Sequence, residues 1–132
     1  MAKSITPFLM FARGAEEAMK FYCKAFADAE ILSIERYGKD GPGAEGSVFK
    51  ARLRLLAQEV MCFDTPVTHA FDFTPSFSFF IECESEAELD RLFASFSEGG
   101  KVMMPPDNYG FSPKFAWIAD RWGVSWQFNL AA

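Results

Sequence analysis

Histidine occurs once in these 132 residues and cysteine three times, at Cys23, Cys62 and Cys83, never spaced as C-x-x-C. An odd, scattered set argues against a disulfide framework, so a reducing cytoplasm is the expected compartment. No apolar run approaches the roughly 20 residues of a membrane helix. The opening MAKSITPFLMFARGAEEA lacks the long apolar stretch of a signal peptide. Cations are also scarce: 13 Lys and Arg face 18 Asp and Glu, a formal net charge of −5. Nucleic acid binding needs a clustered cationic face, so that partner class is set aside together with membranes. The densest charge run is acidic, Glu82, Glu84, Glu86, Glu88 and Asp90, and reads as a solvated strand end and helix start.

Apolar residues are abundant. They make up 50% of the chain, and 16 residues are phenylalanine, which excludes intrinsic disorder. So many rings require a very aromatic core or an aromatic-lined cavity. Residues 5–11 read as a strand entered through Pro7. Ala15, Ala18, Met19 and Tyr22 then mark one helical stripe over about 15–26. Strands follow at 29–37, 47–56 and 59–64. The glycine-rich segment 38–46 between the first two reads as a hairpin loop. Lys50, Arg52 and Arg54 put a cationic, wet face on the 47–56 strand.

A connector with two prolines spans about 65–76, and then the pattern restarts. Residues 77–83 read as a strand, and Ser85-x-x-Glu88 as a capping box. Leu89, Leu92, Phe93 and Phe96 form a second helical stripe, stopped by Gly99-Gly100. Strands at 101–104, 115–119 and 125–130 complete the order βαβββ-βαβββ. The expected class is therefore α+β. A single domain over 1–132 would hold module one at about 1–66 and module two at about 77–132. One helix covers one face of a four-stranded sheet. Two such sheets, curving toward each other with helices outside, would make a cup with an aromatic interior.

The opening ITPFLMFARGAEEAMKFY and the closing WIADRWGVSWQ resemble PhnB-like proteins of the glyoxalase/bleomycin-resistance (vicinal oxygen chelate) superfamily. The resemblance runs from Ile5 to Leu130. It implies the same cup, whose floor in many members holds a divalent metal on His, Glu or Gln. Carried over, those positions fall on Phe8, Ser78, Gln127 and either Met61 or Cys62. Phe has no donor, Ser is a poor ligand, and Gln alone cannot hold a metal, so neither metal nor other cofactor is expected. Some relatives carry the name of a demethylubiquinone methyltransferase. An adenosyl donor ordinarily needs a glycine-rich turn between strand and helix, which the 38–46 loop does not offer.

Strand alternation sharpens the candidate site. On the closing strand Ser125, Gln127 and Asn129 share one face, while Trp126, Phe128 and Leu130 share the other. If Gln127 faces the cup, Ser78, Phe80 and Glu82 take the same parity. Phe8, Ser78, Phe80, Gln127 and Asn129 are thus the candidate ligand-binding residues, for a small organic molecule. His69 reads as an ordinary loop histidine, and Cys62 and Cys83 as small buried apolar residues. Two other readings stay open: a metal-dependent or cofactor-free lyase, isomerase or oxygenase of the superfamily, and a dimerisation domain with an unused cavity. A homodimer is expected, because the apolar excess is more than a small domain readily hides.

Overall fold

A computed structural model describes all 132 residues. The first half of the chain forms β1 (Phe8–Phe11), α1 (Ala15–Ala25), β2 (Ala29–Arg36), β3 (Val48–Leu55) and β4 (Gln58–Asp64). The second forms β5 (Ser78–Glu82), α2 (Glu86–Ser97), β6 (Lys101–Asp107), β7 (Lys114–Ala119) and β8 (Ser125–Leu130). The class is α+β, with the doubled βαβββ order. Contacts divide the chain into two units, Met1–Asp72 and Phe73–Ala132. Each is one four-stranded sheet, ordered β1-β4-β3-β2 in the first unit and β5-β8-β7-β6 in the second. In each, the first strand pairs parallel with the last and the other pairings are antiparallel.

In unit one, Ala15, Ala18, Met19 and Tyr22 bury the apolar face of α1, as the stripe predicts. The helix starts after Gly14, which takes a left-handed φ of 82°. No side chain of the preceding turn caps it. Asp64, at the end of β4, reaches across instead: its carboxylate accepts from Ala15 N at 2.9 Å and from Val48 N at 2.8 Å. One buried carboxylate thereby ties α1, β3 and β4 together. The glycine-rich segment joins β2 to β3 and leads into no helix. The cations of β3 are more neutralised than their spacing suggests. Lys50 pairs with Glu35, Arg52 with Glu59, and Arg54 with both Asp28 and Glu30.

In unit two, Ser85 caps α2 by accepting from Glu88 N at 3.1 Å. The Glu88 carboxylate returns to Glu84 N at 2.8 Å, one residue further back than a standard capping box. Leu89, Leu92 and Phe96 bury the inner face of α2. Phe96 packs on Trp126 and Phe128, with ring centroids at 4.9 and 5.3 Å. Strand β6 runs three residues beyond the expected end, through Pro105 and Pro106. It is an edge strand, where a missing N–H on the outer side costs no ladder bond.

Candidate functional site

The second sheet has one face under α2 and one without a helix. Pairing fixes the helix-free face as three rows. Ser78 lies against Ser125 and then Ala119; Phe80 against Gln127, Trp117 and Met104; Glu82 against Asn129, Phe115 and Asp107. Trp126 and Phe128 lie fully buried on the opposite face. The parity expected for Gln127, Ser78 and Phe80 is the one observed.

A chain of polar contacts crosses this face. Trp117 Nε1 donates to Ser125 Oγ at 2.8 Å, and the Ser125 and Ser78 hydroxyls bond at 2.6 Å. Gln127 Nε2 donates to Ser78 Oγ at 3.1 Å. That bond fixes the amide plane and leaves the carbonyl oxygen of Gln127 without a protein partner. No buried side-chain polar atom in the protein lacks a hydrogen bond, so this oxygen is open to solvent. Phe80, 53% exposed, stands beside it on one side and Trp117 on the other.

Asn129 is placed differently from Gln127. It is buried, and its amide is spent within the protein: Nδ2 donates to both Glu82 oxygens at 3.1 Å, and Oδ1 accepts from Ser112 Oγ at 2.6 Å. It therefore positions Glu82. Ser112 belongs to the β6–β7 loop, so this bond also fastens that loop to β8. Rings of the loop extend the face: Phe111 and Tyr109 lie 5.0 and 6.2 Å from Phe115, which lies 6.4 Å from Phe80.

Phe8 belongs to the first unit. Its register partner on β4 is Met61, whose partner on β3 is Arg52. Phe8 is 52% exposed and packs on Phe63 at 4.8 Å. Met61 is therefore the fourth-strand residue on the helix-free side. Cys62 faces α1 and is fully buried. Burial, with the nearby Asp64 charge adding to it, pushes the Cys62 thiol up to about 12. Burial does the same to Cys83, to about 12, with Glu88 adding to it. Neither is a thiolate at neutral pH. His69 lies on the exposed connector, Nε2 at 3.1 Å from Thr65 Oγ1 and its ring stacked on Phe71 at 4.8 Å. It lines a shallow pocket of about 270 Å³ with Met10, Thr65 and Phe71. A Cys62–His69 nucleophilic pair is not formed.

Residues 3–129 match the model of the family described as 3-demethylubiquinone-9 3-methyltransferase. The chain belongs to this family. A PhnB protein from Bacillus cereus is 49% identical, with a TM-score of 0.94 over 98% of this chain and 100% of the other. Protein YjdN of Escherichia coli (strain K12) is 21% identical over 96% of this chain and 94% of its own length. The fold is also that of a glyoxylase/bleomycin resistance protein/dioxygenase domain from Frankia sp. EAN1pec, at 14% identity and a TM-score of 0.64, covering 100% of this chain and 94% of that one. The positions onto which the resemblance carries metal ligands are Phe8, Ser78, Gln127 and Met61 or Cys62. In register Phe8 pairs with Met61, while Gln127 pairs with Phe80 and not with Ser78. Ser78 lies one row away from Gln127. Two phenyl rings, a thioether, an amide and a hydroxyl are not the donor set of a divalent site. No three His, Cys, Asp or Glu side chains elsewhere group to hold an ion.

Sequence reasoning placed Ser125 on this face with Gln127 but missed Trp117, Ser112 and Phe115 as members of it. Alternation along β7 separates Phe115 and Trp117 from Ala116 and Ile118. Only the β7–β8 register brings them beside Gln127 and Asn129.

Proposed function

We propose that this PhnB-family chain binds a small organic molecule, without metal or other cofactor, on the helix-free face of its second sheet. The observation that carries this reading is the Gln127 amide. It is held by Ser78, flanked by Phe80 and Trp117, and its carbonyl oxygen is left free. Such an oxygen accepts from a ligand donor while the two rings take the ligand's apolar part. Phe8 is the first unit's counterpart of Phe80, and Asn129 serves the site by holding Glu82. Methyl transfer, the activity in the family's description, is not part of the proposal. The glycine-rich segment 38–46 joins two strands and offers no helix N-terminus to a nucleotide. Buried, protonated Cys62 and Cys83 also supply no activated nucleophile. The protein is proposed to work in the cytoplasm as a homodimer.

Naphthol is a suitable probe, with one hydroxyl donor on a flat ring. Gln127→Leu should weaken its binding by about 1–3 kcal/mol, the cost of an unmet polar partner, with the thermal unfolding midpoint retained. Unchanged affinity would remove Gln127 from the site, and loss of folding would give it a structural role. Metal analysis of purified protein should find less than about one-tenth of an equivalent, since tight binding takes three or more good donors.

A further inference from the structure

We propose that this face selects organic cations built on a flat ring, with Glu82 as the anchoring carboxylate and the exposed rings of Phe80, Phe111 and Tyr109 as the wall. The inference rests on the reading of that face as a ligand site and names its ligand class.

Glu82 is exposed and forms no ion pair. The acids beside the β3 cations are all matched: Glu35, Glu59, Glu30 and Asp28 each hold a Lys or Arg. Lys114, the cation adjacent to Phe115 in sequence, turns to Glu86 and Asp90 on α2. The Glu82 carboxylate meets only the Asn129 amide, which donates to both of its oxygens. A carboxylate has about four acceptor directions, so acceptor capacity remains. Asn129 is buried and pinned by Ser112, so the negative charge sits in a fixed place. Asp107 ends the same row across the sheet.

The rings around this charge are also fixed. Phe80 stands two residues before Glu82 on the same face, and Phe115 is the register partner of Asn129. Phe111, 64% exposed, meets Phe115 edge-on at 5.0 Å. The loop that presents Phe111 and Tyr109 is closed by three hydrogen bonds. Asn108 Oδ1 accepts from Gly110 N at 2.8 Å, the Tyr109 hydroxyl donates to Pro105 O, and Ser112 holds Asn129. Ring faces carry negative electrostatic potential and attract cations. A carboxylate and exposed rings on one sheet face, seated around the buried Phe115, favour a cation twice over, and the same carboxylate repels an anion of equal shape. Because the wall is already ordered, little entropy is spent in forming it.

The test compares naphthylmethylamine, naphthol and naphthoate, one ring system with three charges. Each is titrated calorimetrically near neutral pH at low ionic strength. The amine should bind at least about tenfold more tightly than naphthol, with naphthoate the weakest, and added salt should shrink that preference. Glu82→Gln should bring the amine to within about twofold of naphthol. Phe111→Ala should weaken amine and naphthol together. Naphthoate binding as tightly as the amine would overturn the inference, as would a preference that survives Glu82→Gln. A wild-type preference indifferent to salt would overturn it without any variant. Naphthol binding with no charge preference sinks the cation inference alone. Failure of all three probes sinks the site reading beneath it as well.

Discussion

Asp120 shows how much one buried side chain can hold. Its carboxylate accepts from Trp122 N at 2.9 Å, Val124 N at 3.0 Å and Trp126 Nε1 at 2.9 Å. It closes the β7–β8 turn and anchors the largest ring of the second unit's core. Asp120→Asn puts an amino group where one of these donors needs an acceptor. Chemical denaturation should show a loss of about 1–3 kcal/mol, with Trp126 fluorescence reporting a disturbed core. On the surface, the bidentate Arg36 contact, helped by Lys20, holds the Glu16 carboxyl down to about 2 from its ordinary 4.5. A lowered folded-state value stabilises the fold above the unfolded value and loses that stabilisation as pH falls toward the folded one. The stability gap between wild type and Arg36→Met should therefore be constant above about pH 4.5 and narrow toward pH 2. Of these residue-level features, alternation alone gave the face of Gln127, Ser78 and Phe80. It could not give their partners. Whether Gln127 meets Ser78, or Phe8 meets Met61 rather than Cys62, depends on inter-strand register, which no single strand encodes.

At the scale of elements, both helices were legible from their stripes and the Ser85 cap. Most strands were legible from alternation bounded by glycine and proline. Strand β6 was cut short at Met104 because Pro105-Pro106 reads as a stop. That rule weakens on an edge strand, and edge position is a property of the assembled sheet. The α2–β6 junction shows the reverse case, a tight approach that only glycine permits. A Cβ on Gly100 would lie 2.1 Å from the Ala119 carbonyl oxygen and 2.9 Å from the Asp120 carbonyl carbon. These are backbone atoms, so no flexible side chain can give way. Gly100→Ala should lower stability by about 1–3 kcal/mol, read by thermal unfolding, whereas Ser97→Ala three residues earlier should cost far less.

Across the whole molecule, the doubled βαβββ order was the most legible feature, and the observed element order has it. Large rings stay in water: Phe8, Phe71, Phe77, Phe80 and Phe111 are each more than half exposed. A two-fold dimer would cover part of this surface. Light scattering at micromolar concentration should report a species of twice 14.8 kDa, and a monomeric mass would remove the dimer from the proposal.

The pairing of first strand with last has a consequence for synthesis on the ribosome. Ser78 and Ser125 lie 47 residues apart in sequence yet side by side in the sheet. Strand β1 likewise waits for β4 and has no other strand to pair with. Long-range parallel pairing is slow, because the intervening chain must be ordered first. The hairpins β2–β3–β4 and β6–β7–β8 can therefore zip early, while Phe8–Phe11 and Ser78–Glu82 remain as unpaired, phenylalanine-rich ribbons. During that interval the nascent chain exposes its most adhesive segments, so crowding and temperature during expression should govern the yield of native protein more strongly than the stability of the finished fold does.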